Sequence, residues 1–153
     1  MLKTSEIEVI MLEYLLSKLK HNIAVPRCEA VGFEADVLSV TSTAFLHEFE
    51  IKISKQDFLK ENKKKKWIWY EEKQKHCPNY FWYVCEKDLI SPEEVKDFAG
   101  LIYIDKGKVN IIKSPARLHS AKCNVKLYRK IIRSLSFKLL NESKKLVEKK
   151  KKK

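Results

Sequence analysis

Glu48, Glu50 and Lys52 alternate with Phe49, Ile51 and Ile53 in the segment EFEIKIS. Side chains on a strand point to opposite faces with period two, so this segment reads as a half-buried strand carrying an acid-acid-base row on its polar side. That row is either a solvated edge or a site. In the preceding segment, FEADVLSV, Glu34 and Asp36 have the same parity. An antiparallel hairpin with Ser42 to Ala44 as a three-residue turn sets Asp36 directly opposite Glu50. Opposed carboxylates destabilise a sheet unless a cation compensates them, and a hard divalent ion such as Mg²⁺ (or Mn²⁺) suits two acids that share it with water and phosphate oxygens. Lys52, two residues from Glu50 on the same face, is placed to deprotonate or orient a water and to steady charge developing on phosphorus. The chemistry expected from these parts is metal-assisted phosphodiester hydrolysis. On the alternative reading, Glu and Lys two residues apart are an ordinary exposed strand.

The elements that must position these residues follow from the flanking patterns. Ile7, Ile10, Met11, Tyr14, Leu15 and Leu19 recur at helical spacing, which predicts an amphipathic first helix capped by Thr4 or Ser5. A strand is expected around Ile23 to Val31, then the hairpin. Ser54 followed by Asp57 opens a charged helix, with WIWY at Trp67 to Tyr70 leaving its end open. The run NYFWYVCE is of strand length and apolar on both faces, as a central strand is. SPEEVKDF carries the start signals of a short helix, GLIYID and VNIIK flank a KGK turn, and a basic helix is predicted from Ser120 to about Val147. The order predicts an α/β (α+β) chain, a mixed sheet flanked by helices.

At 153 residues and 44% hydrophobic, the chain suits one domain. Its formal net charge of +12 makes nucleic acid the leading partner class, through phosphate contacts and counterion release. The four cysteines form no CxxC pair, which argues against a zinc finger or redox motif and suits a reduced, cytoplasmic setting. Glu6, Glu8 and Glu13 interrupt the apolar N-terminal pattern, so neither a signal peptide nor a membrane span is expected.

The segments EADVLSV and EFEIKISKQDF together resemble the PD-(D/E)XK nuclease superfamily, with Asp36 as the isolated acid and Glu50-Ile51-Lys52 as the tripeptide. Through KKKK, PNYFWYVCEKDLISPEEV and AGLIYID the chain resembles the MmcB-like DNA repair branch and similar small phage-encoded proteins. The resemblance spans roughly Glu8 to Leu118, and lacks only the proline before Asp36. It implies a restriction-endonuclease-like αβββαβ core and a Mg²⁺- or Mn²⁺-dependent endonuclease acting on DNA, in repair, recombination or phage DNA processing. Asp36 and Glu50 would be the metal ligands and Lys52 the catalytic lysine. Glu8, or failing it Glu13, would be the acid from the first helix. The domain is expected over residues 1–147, with a lysine-rich disordered tail at 148–153.

Lys55 and Asp57 could contact a phosphate, or simply begin a helix with the acid near its positive end. Lys63, Lys64, Lys65 and Lys66 beside Trp67, Trp69 and Tyr70 interleave bases and aromatics, a pattern that grips a strand backbone and stacks on unpaired bases, although the tryptophans equally suit a core. No small-molecule cofactor and no membrane partner are expected, and a homodimer would suit two-strand cutting. The alternative to the enzyme is a catalytically inactive nucleic-acid-binding module on the same fold.

Overall fold

The computed structural model of the chain describes residues 1–61, 66–73 and 77–153. Helix α1 (Thr4–Glu13) begins after Lys3 and continues into a wider turn over Tyr14–Lys18, where the Leu19 N–H reaches Tyr14 O. Three antiparallel strands follow, β1 (Ile23–Cys28), β2 (Ala35–Val40) and β3 (Leu46–Lys52). Pro26 is tolerated inside β1 because β1 is the sheet edge, where a missing N–H costs no ladder bond. Two short helices, α2 (Lys55–Lys60) and α3 (Lys66–Glu71), then lead to β4 (Tyr80–Glu86), which lies parallel to both β3 and β5 (Gly100–Asp105). Strand β6 (Lys108–Lys113) closes the opposite edge, and α4 (Val125–Lys151) ends the chain.

The result is a six-stranded mixed sheet in the order β1-β2-β3-β4-β5-β6, flanked by helices. The two hairpin turns follow local chemistry. Between β2 and β3, Ala44 takes the left-handed conformation (φ 68°) that ends a three-residue loop, and β2 pairs with β3 in the register this loop length implies. Between β5 and β6, Lys106 and Gly107 both have positive φ, as a two-residue loop of the mirror-image type requires.

Three expectations about elements change. The segment from Ser91 folds as successive turns rather than a helix, although Glu94 does accept from the Ser91 N–H at 2.8 Å. Val95 is buried and Phe98 packs against the α3 cluster, and these tertiary contacts hold the chain out of a helical course. Helix α4 starts at Val125, capped by the Asn124 side chain on the Leu127 N–H. It runs through Lys151, so residues 148–151 are helical rather than a loose tail.

Each face of the sheet has its own core. On one face α1 supplies Ile7, Met11 and Leu15 against Val37, Phe49, Ile51, Trp82 and Val84. On the other, one apolar cluster gathers Val25, Leu38, Val40 and Leu46 with Ile131 of α4. A second gathers Phe58, Trp67 and Tyr70 with Phe81, Tyr83 and Leu101. The polar row of β3 runs between these two clusters. Among the described residues no helix is long and apolar enough to cross a membrane, and all four cysteines are free thiols.

Candidate functional site

Because β3 is an interior strand with helices on both sides, its polar row is covered: Glu48 is 0%, Glu50 5% and Lys52 3% exposed. The row is thus not a solvated edge. Burying charge this thoroughly is costly unless every charge has a partner, and the partners come from α2 and α3. Lys52 Nζ lies 3.2 Å from Glu50 Oε1 and 2.5 Å from Oε2 of Glu61, at the end of α2. Lys66 opens α3 and reaches Glu48 Oε1 at 3.1 Å, Glu50 Oε2 at 3.2 Å and Glu61 Oε1 at 3.4 Å. The Tyr70 hydroxyl donates to Glu48 Oε2.

Asp36 sits at the open end of this network and accepts the Ile51 N–H at 2.7 Å. Beside it is a cleft of about 260 Å³ whose walls include Thr4, Asp36, Glu50, Lys52, Asp57 and Lys60. Among the described residues, the carboxylates of Asp36, Glu48, Glu50, Asp57 and Glu61 outnumber the ammoniums of Lys52 and Lys66, and the imbalance is expressed as proton affinity. Burial, and then the Glu50 charge, push Asp36 up to about 6 against the opposing Ile51 hydrogen bond. Burial also raises Glu48, partly offset by Lys66 and Tyr70. For Lys66, burial alone would lower its pKa, but Glu48, Glu50 and Glu61 together outweigh it and hold the ammonium above the ordinary lysine range. Lys66 is a permanently charged strut.

These contacts correct the expected cofactor. Among the described residues no group of three or more His, Cys, Asp or Glu side chains is arranged to hold a metal ion, so Asp36 and Glu50 do not form the expected Mg²⁺ or Mn²⁺ centre. The donor chemistry agrees. Each Glu50 oxygen already faces an ammonium, and the Lys66 ammonium stands among Glu48, Glu50 and Glu61, where a compensating cation would otherwise be needed.

Asp36, Glu50 and Lys52 are therefore brought together as expected, and Asp57 lies 3.9 Å from Lys52. Glu8 is not among the residues lining the cleft, although Thr4 one turn earlier is; it pairs with Arg27 at 3.8 Å, and Glu13 is exposed. Lys55 hydrogen-bonds Glu94 at the surface. Lys66, expected on a strand-gripping surface, is 1% exposed and turned inward. Lys63, Lys64 and Lys65 lie outside the described residues, as does His76. His47 is on the α1 face, where it accepts from Trp82 Nε1 at 3.0 Å, and burial together with His21 holds its pKa down at about 3.

The sequence reading missed Glu61 and placed Lys66 and Tyr70 outside this network. Glu61 follows the buried Phe58 by three residues, hence on the same face of α2, and Lys66 shares its buried face with Trp67 and Tyr70. That spacing was the available signal.

No family model and no curated protein matches the chain. Among solved structures it is similar to a protein of unknown function from Silicibacter pomeroyi. The two superpose with a TM-score of 0.59 at 16% identity, over 84% of this chain and 81% of the other. At that identity the likeness concerns the fold alone.

Proposed function

We propose that the chain is a nucleic-acid-binding module on a restriction-endonuclease-like fold, with its acid-lysine constellation serving as a buried ionic seam. The fold assignment is supported by the succession α1-β1-β2-β3-α2-α3-β4 and by the meeting of Asp36, Glu50 and Lys52 at one cleft. The observation that carries the binding reading is α4: 27 residues long and mostly exposed, it bears ten Lys and Arg residues against only Glu142 and Glu148. Such a rod, its cations far in excess of its acids even with Lys145 paired to Glu142, attracts a phosphate backbone and releases its counterions. The endonuclease expectation rested on a divalent ion at Asp36 and Glu50. Binding needs no such ion.

The test is fluorescence anisotropy of labelled duplex and single-stranded DNA across a salt series. The expected result is an affinity that falls linearly with log salt, at about 0.9 per duplex phosphate contacted, and a shallower slope for Lys144→Glu/Lys145→Glu. Absence of salt-sensitive binding to either DNA would overturn the proposal.

A further inference from the structure

A second cavity, of about 520 Å³, opens between the start of α4, the end of α3 and the β3–β4 end of the sheet. Its floor is apolar, formed by Val31, Leu46, Cys123 and Leu127, and Trp69 forms one wall. Trp69 is itself braced by Phe33, ring centroids 4.8 Å apart. Lys122, Lys126 and Lys130 stand at the rim, the last two one helical turn apart on α4. No Asp or Glu is among the described residues lining this cavity, and none forms an ion pair with those three lysines.

The cavity is also held open by its own bonding. The buried Asn79 side chain accepts from the Leu46 N–H at 2.8 Å and donates to His119 O and Ala121 O, both at 2.9 Å. His119 Nδ1 accepts from the Ala121 N–H, so Nε2 carries the ring proton and donates to Cys77 O at 2.7 Å. The Cys123 N–H bonds to Ala44 O. The loop before α4 is therefore pinned to the strand ends, and a ligand would meet a preformed shape. This differs from the Asp36 cleft in charge: that cleft mixes carboxylates with Lys52 and Lys60, while the described lining of this one adds Asn79, His119 and Asn124 to its apolar and lysine side chains and includes no carboxylate.

An apolar floor, an aromatic wall and unpaired ammoniums at the lip fit an aromatic ring carrying phosphate, and the volume is that of a small-ligand pocket. We infer that this cavity takes one nucleotide unit, its base lodged beside Trp69 and its flanking phosphates on Lys122, Lys126 and Lys130. The inference rests on the nucleic-acid-binding reading and assigns it an unpaired strand, because a base stacked in a duplex cannot enter.

The test uses the full chain and anisotropy of a labelled single strand of about 12 nucleotides, the duplex of the same sequence, and a strand with its bases removed but its phosphates kept. Trp69→Ala is expected to weaken single-strand binding about tenfold and to leave duplex binding unchanged, with Trp69→Phe restoring most of the loss. Lys126→Glu/Lys130→Glu should weaken the single strand similarly, and the base-free strand should bind wild type as poorly as the normal strand binds Trp69→Ala. Circular dichroism verifies folding; should Trp69→Ala not fold, the base-free strand measured against wild type carries the test. Competition by thymidine monophosphate distinguishes a free nucleotide from a strand as the source of the unit. Unchanged single-strand affinity in Trp69→Ala, or equal affinity for the base-free strand, overturns the cavity assignment and leaves DNA binding standing. No binding to any DNA overturns both.

Discussion

Replacing Lys66 by Met keeps the length of the side chain and removes its charge from the centre of the seam. Lys66 Nζ approaches Glu48, Glu50 and Glu61 at 3.1, 3.2 and 3.4 Å. Without it, Glu48 retains the Tyr70 hydroxyl as its hydrogen-bond donor among the contacts described above, while Glu50 and Glu61 share Lys52. Removing one partner from a buried ion pair typically costs about 3–5 kcal/mol, because the remaining charge is stranded in a poorly solvated site. Against a typical total stability of about 5–15 kcal/mol, Lys66→Met should lose a large share of the fold's stability at neutral pH. The loss has a definite pH signature. Burial already raises Glu48 in the folded state, and deleting the ammonium raises it further. A carboxyl whose folded pKa exceeds its unfolded value gains stability as pH falls, and holds that gain fully below the unfolded value. The deficit relative to wild type should therefore be largest near pH 8 and shrink by up to about 1.4 kcal/mol per pH unit toward pH 5. Urea denaturation followed by tryptophan fluorescence at both pH values measures this. Adding Glu48→Gln to Lys66→Met should recover much of the loss. A deficit below about 1 kcal/mol, or one equal at both pH values, would refute the account, since it would mean the seam is solvated like a surface pair.

Asp36→Asn should stabilise the fold at neutral pH: the wild-type carboxyl is raised from 3.8 to about 6, which corresponds to roughly 3 kcal/mol forfeited above pH 7. The advantage should fade through pH 6 and vanish below about pH 4, where wild-type Asp36 is itself protonated, and denaturation midpoints across that range read it directly. Gly100→Ala is expected to cost about 1–3 kcal/mol. An added Cβ would lie 2.4 Å from Trp82 Cε3, and Trp82 is tied in place by its hydrogen bond to His47; a melting temperature equal to wild type would count against that rigidity. Asn124→Ala removes the side-chain acceptor for the Leu127 N–H and should cost about 1 kcal/mol, seen as earlier loss of helical ellipticity on heating.

Local pattern determined much of this protein. The period-two alternation of residues 48–54, the loop at Ser42–Ala44 and the aromatic run of β4 defined the strands, the β2–β3 register and the central position of β4, because each depends on neighbours close in sequence. The convergence of Asp36, Glu50 and Lys52 followed from that register. What the row does was decided elsewhere. Whether three charged side chains on a strand meet water, a metal or other protein groups depends on what covers that face, and the cover comes from α2 and α3, where Glu61 and Lys66 carry the decisive charges. The failed helix at Ser91 has the same cause: its start signals are local, whereas the burial of Val95 and packing of Phe98 are not. Periodicity reports which side chains share a face. Only tertiary packing decides which charges meet across it, since that pairing joins residues whose separation in sequence carries no pattern.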